Sequence, residues 1–270
     1  MNKTGLSSFE SSSKPSQPRA IVLAIITLLS WHQLMPRSVW VSAALFLVLP
    51  WAIRSECLPA IHLSVLAALM CLMPFLFYFH PPFLILKAAL LLPYFIIVAL
   101  ITPLRHSLDW LRRGTFGLKT WGLVVGITLF AGVVLSGWVH FVNPNLGRYT
   151  YYFTAMPSGM LFVYAAGFAA INALIEEIIW RGIMLSALDA VLGVGPLALV
   201  LQALQFGIAH YRGGFPNGWL GIATTGLFGF FMGLVRRSTN GLFACWIAHA
   251  AADFTILCLV IHFVRQSAGH

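Results

Sequence analysis

The stretch AAGFAAINALIEEIIWRGIML, residues 165–185, sets two adjacent carboxylates, Glu176 and Glu177, and the guanidinium of Arg181 in the middle of an apolar run. A run of about 20 apolar residues is long enough to cross a bilayer as a helix. An ionisable side chain at that depth costs about 2.5–3.5 kcal/mol on insertion scales, so it needs either a structural partner or a chemical task. Glu177 and Arg181 are four residues apart, which puts them on one helical face in the favourable order for an ion pair. Glu176 points roughly 100° away from Glu177, so the same pair does not neutralise it. The plain alternative is a structural ion pair beside a spectator glutamate.

The rest of the chain matches this setting. Of its 270 residues, 60% are hydrophobic and 9% are charged, against about a quarter charged in an ordinary soluble domain. The expected fold class is therefore an all-α polytopic membrane protein. The net charge of +9 is spread as short basic clusters between apolar runs rather than along one polar face. It reads as a set of topology determinants, and nucleic acid is not an expected partner. Cys57, Cys71, Cys245 and Cys258 form no CxxC pair, so neither a disulfide framework nor a cysteine metal site is expected.

Residues 1–18 are polar and rich in Ser and Pro, and are expected to be a disordered tail. The apolar segment after Arg19 lacks a small-residue cleavage pattern and reads as a retained first span. Expected spans are 20–35, 39–53, 60–79, 82–103, 117–142, 157–189, 196–210, 218–235 and 240–264. The first two are short, so the expectation is eight or nine transmembrane helices. An N-terminal transmembrane region over 19–156 precedes a core over 157–264, and a tail covers 265–270. Residues 105–119 (RHSLDWLRRGTFGLK) alternate Leu108, Trp110 and Leu111 with charges, in the manner of an interfacial segment. With a cytoplasmic N-terminus, Lys3, Lys14, Arg19, Arg54, Arg105, Arg112, Arg113, Lys119, Arg236 and Arg237 lie inside, and Arg37, Arg148, Arg212 and Arg265 outside. The excess of basic residues favours that orientation.

Two further polar clusters fall within the later spans. Phe206-Gly-Ile-Ala-His210 closes the span at 196–210, and His249-Ala-Ala-Ala-Asp253 sets an imidazole and a carboxylate on one face. A histidine oriented by a carboxylate is a device of hydrolases and of metal sites alike. At 1.5 Å per residue, Glu176 and His210 each lie roughly 20 Å from the turn at 190–195, while His249 and Asp253 lie roughly 15–21 Å beyond Thr239 on the same side. The three helices are therefore expected to bring their polar groups to one depth.

EExxxR, FxxxH and HxxxD, in this order in the second half of a polytopic chain, resemble the CAAX-protease and bacteriocin-processing (CPBP, or ABI) family of glutamic intramembrane proteases, over roughly residues 157–260. The resemblance implies a catalytic core in the last four helices and hydrolysis of a peptide bond near the C-terminus or membrane anchor of a substrate protein. By position it implies Glu176 as the base on water and His210 as its hydrogen-bonding partner, with His249 and Asp253 facing the oxyanion. Glu177, Arg181 and Phe206 are supporting residues. Many relatives carry Asn where this chain has Asp253. An ionised aspartate has no hydrogen to donate, so Asp253 either holds a proton or orients His249. The resemblance implies neither metal nor cofactor, a membrane-anchored protein or peptide as partner, and the bacterial inner membrane as location. A metal-dependent membrane hydrolase and a non-enzymatic scaffold or immunity factor are the alternatives.

Overall fold

The computed structural model of the chain describes residues 16–35, 38–72, 83–142, 144, 146 and 150–269. Most of the expected tail, together with Lys3, Lys14, Arg37, Arg148 and the end of the 60–79 span, lies outside them. All secondary structure among the described residues is helical.

Four helices make up the N-terminal part: α1 (Ser16–Leu34), α2 (Val39–Arg54), α3 (Leu58–Met70) and α4 (Phe83–Leu100). Ser38 caps α2 by accepting the Val41 amide. After a short α5 (Thr102–His106) and an extended stretch come α6 (Leu118–Val142), the short α7 (Thr150–Ala155) and α8 (Ser158–Glu177). Helix α8 runs without a break into a π-helical segment, Ile178–Met184, and on into α9 (Leu185–Leu192). Gly193, at φ 82°, ends α9, and Pro196 opens α10 (Pro196–Ala209). This is the usual asymmetry of glycine after a helix and proline at the start of one. Helices α11 (Gly218–Thr239) and α12 (Phe243–Ser267) follow, with Asn240 taking the left-handed conformation between them.

Among the described residues, four helices are long and apolar enough to cross a membrane: Leu118–Val142, Ser158–Leu192, Gly218–Thr239 and Phe243–Ser267. The remaining apolar helices among the described residues are shorter, and the expected count of eight or nine spans is not fixed by these lengths. Helix α10, with 14 residues, rises only about 21 Å against a hydrocarbon core of about 30 Å. Pro50 within α2 and Pro93 within α4 interrupt their backbone ladders.

The packing divides the molecule in two. A large apolar cluster joins α1–α4 to the π segment, α9 and α10 through Leu29, Leu45, Leu66, Tyr94, Ile178, Ile183 and Leu188. Two smaller clusters join α6 to α12: one through Trp138, Leu161 and Val260, the other through Ile127, Met232 and Cys245. Helices α10 and α11 form one closely packed pair, and α8 packs along α12. Glycines 207 and 226 face each other across the first pair, where a side chain on Gly207 would meet the Ile222 carbonyl. The Gly/Ala/Thr stripe of α11 is thus used for close helix approach.

The expected interfacial segment is tied to the core by backbone bonds. Thr115 donates to the Thr239 carbonyl at 2.8 Å, and Leu242 donates to the Arg112 carbonyl at 2.9 Å. Gly114 has φ 86°, and a Cβ on Gly241 would run into the backbone of Arg113 and Gly114. Beside this clasp the Arg113 guanidinium lies over the rings of Phe116 and Phe243. Arg237 pairs with Asp189 and also donates to the Gly195 carbonyl at 3.0 Å.

Candidate active site

Glu176 and Glu177 are the last two residues of α8, and the hydrogen-bond register widens directly after them. The Leu185 amide donates to the Trp180 carbonyl, five residues back. Such π segments recur at functional sites because they turn neighbouring side chains off the ordinary helical ladder. Glu177 and Arg181 are nevertheless joined, Oε1 to Nη1 at 2.8 Å, and both are fully buried. The Arg181 guanidinium lies 4.5 Å from the centroid of Phe206 and reaches the Gly229 carbonyl at 3.4 Å. It is thereby fixed among α8, α10 and α11.

His249, on α12, stands between the two glutamates. Its Nδ1 is 2.7 Å from Glu177 Oε1. Its Nε2 is 3.5 Å from Glu176 Oε2 and 3.6 Å from Asp253 Oδ1. The first distance is a hydrogen bond and the other two exceed one. A single imidazole therefore bonds to one carboxylate and stands at ion-pair distance from two more. Phe206 and Phe228 hold the ring by edge-to-face contacts at 5.8 and 5.3 Å between centroids.

His210 caps the C-terminal end of α10, and its Nδ1 meets the Phe206 carbonyl at 3.0 Å. Phe206 packs edge-on against this ring as well, at 4.8 Å. Gly214, at φ 89°, follows in the loop, and a Cβ there would fall 2.7 Å from the His210 ring. The loop can close over the imidazole only because position 214 has no side chain.

His210, His249 and Asp253 line one cavity of about 70 Å³, room for a few water molecules. Phe130, Ala131, Val134 and Leu135 of α6, Thr224 and Thr225 of α11, and Phe215 and Pro216 of the loop line it as well. Among the described residues, helices α1–α5 contribute none of those lining it.

Of the four residues proposed from sequence as catalytic, His210, His249 and Asp253 line the cavity and Glu176 lies against His249; of the three supporting residues, Phe206 lines it too, while Glu177 bonds to both Arg181 and His249. Sequence reading passed over several neighbours. Asn172, one turn before Glu176, donates from Nδ2 to Asp253 Oδ2 at 2.8 Å. A lone amide in an apolar helix, four residues from a carboxylate, was its available signal. Phe228 and the α6 wall had none, since an aromatic or aliphatic residue in a span reads as lipid-facing. Among the described residues, no three His, Cys, Asp or Glu side chains are arranged to hold a metal ion.

Residues 157–255 match the family model described as Type II CAAX prenyl endopeptidase Rce1-like. The match spans α8 to the middle of α12 and includes every side chain named above except those of α6. No curated protein and no solved structure matches the chain.

Proposed function

Because residues 157–255 carry the Rce1-like match and with it the mark of a membrane protease, we propose that this chain is a glutamic-type intramembrane endopeptidase. It would hydrolyse a peptide bond near the C-terminus or membrane anchor of a substrate protein, in the bacterial inner membrane. The observation that carries the reading is Glu176 Oε2 lying 3.5 Å from Nε2 of His249, beside a cavity that His249, His210 and Asp253 line.

Glu176 takes a proton from a water molecule, and the hydroxide formed adds to the scissile carbonyl carbon. The negative charge passes to the carbonyl oxygen, which needs donors placed in advance. With Nδ1–H of His249 given to Glu177, Nε2 carries a proton to donate only when the ring is doubly protonated. Glu176 and Asp253, facing Nε2, supply the counter-charge for that form. The C–N bond then breaks, and the amine leaves with the proton that Glu176 took. His210 is the second imidazole at the cavity, where it binds water or the tetrahedral oxygen. The carboxylate of Asp253 serves as counter-charge to His249 and not as an oxyanion donor.

The test is cleavage of a panel of membrane-anchored peptides by protein purified in detergent. The wild type is compared with Glu176→Ala and Glu177→Ala, each with and without a metal chelator. The expected result is a loss of about 10²–10⁴-fold in Glu176→Ala and no chelator effect. Chelator sensitivity would move the assignment to a metal hydrolase, and a folded wild type that cleaves nothing across the panel would move it to a scaffold or immunity factor.

A further inference from the structure

Asp253 is the least expected member of the site, and the structure shows what holds it. Its two carboxyl oxygens are engaged differently. Oδ2 accepts from Asn172 across the α8–α12 interface at 2.8 Å, while Oδ1 stops 3.6 Å short of Nε2 of His249. Aspartate and histidine four residues apart on one helix are able to close to a direct hydrogen bond, as Glu177 and Arg181 do at 2.8 Å. Here they stand at ion-pair distance but short of a direct hydrogen bond, while α8 holds the other carboxyl oxygen. We propose that Asn172 is a positioning residue that keeps Asp253 away from His249, so that Nε2 stays open to water and to the substrate's carbonyl oxygen. The inference rests on the protease reading given above.

The consequence follows from the geometry of the ring. Nδ1 is already taken by Glu177 at 2.7 Å, so Nε2 is the nitrogen His249 can offer to a reacting group. Were Asp253 to swing onto Nε2, both nitrogens would be closed by carboxylates and the imidazole would become a strut. Asn172 and Glu176 share one face of α8, a turn apart. The helix that carries the proposed base therefore also carries the group that keeps its neighbouring imidazole available. Residues that orient a functional histidine through a carboxylate commonly matter by about 10–100-fold when removed.

The test pairs kinetics with spectroscopy. In Asn172→Ala, kcat falls about tenfold or more while KM is unchanged. The same substitution in an Asp253→Ala background lowers kcat no further, since the residue it acts through is gone. Asn172→Asp is nearly isosteric and lacks the donor, so it loses activity too. The exchanged pair Asn172→Asp with Asp253→Asn re-forms an interhelical amide–carboxylate bond and recovers part of that loss. Imidazole-nitrogen NMR of histidine-labelled protein, assigned with His249→Gln, shows the Nε2 resonance of His249 displaced in Asn172→Ala. Wild-type kcat and an unmoved resonance in Asn172→Ala would overturn the proposal, as would equal losses in both backgrounds. If the wild-type protein cleaves nothing, the protease reading falls, and an unmoved resonance would still refute the positioning of Asp253 by Asn172.

Discussion

Arg181 is the residue on which the buried charges depend most. It is fully buried, bonded to Glu177 and stacked on Phe206. Removing one partner of such a pair leaves the other charge unpaired in a medium that cannot solvate it. Arg181→Ala is expected to destabilise the protein by about 3–5 kcal/mol, seen as a lower thermal midpoint in detergent. Arg181→Lys is expected to rescue little, because an ammonium cannot both bond Glu177 and lie flat on the Phe206 ring. A wild-type midpoint in Arg181→Ala would show that the pair is dispensable. At this scale the sequence was informative, since four-residue spacing alone paired Glu177 with Arg181. The bond from His249 to Glu177 was not readable, because contacts between helices depend on rotation about each axis and spacing reports only on one helix.

Among the elements, the π segment Ile178–Met184 sets the orientation of the site. It accommodates one residue more per turn than an α-helix, so α9 leaves it rotated relative to α8. Deleting one residue within it, such as Ile179, is expected to restore an α-helical ladder and turn Glu176 and Glu177 by about 100° relative to α9. Cleavage should be lost while circular dichroism still shows a helical protein; retained cleavage would mean that the register does not matter. Nothing in IIWRGIM announces a π turn, since every residue in it is compatible with an α-helix. The long helices were easier to read. Expected spans at 117–142, 157–189, 218–235 and 240–264 meet helices at Leu118–Val142, Ser158–Leu192, Gly218–Thr239 and Phe243–Ser267. The shorter apolar helices are harder to assign as full spans, because hydropathy does not mark where a backbone bends or stops inside an apolar run.

For the molecule as a whole, the backbone clasp between Arg112–Thr115 and Thr239–Phe243 joins the stretch between α5 and α6 to the turn that opens α12. His249 and Asp253 follow on that helix, so the clasp sets where they begin. Gly241→Ala places a methyl group against backbone that has no side chain to move aside. It is expected to cost about 1–3 kcal/mol and to lower cleavage along with the thermal midpoint. A variant with wild-type midpoint and activity would show that the clasp yields without consequence. The sequence marked this stretch as interfacial from its alternating charges, but not as a fastening, because backbone pairing leaves little trace in side-chain pattern.

The cavity has a front and a back of different origin. Its back, with Phe206, His210, His249 and Asp253, belongs to the matched residues, whereas four residues of its front wall come from α6, outside the family match. In the proposed protease, the cutting groups and part of the surface that would meet a substrate therefore sit on separate pieces of chain. For anyone wishing to redirect the proposed protease, Phe130, Val134 and Leu135 would form a replaceable faceplate at which the preference for one peptide over another could be redrawn without touching the blades.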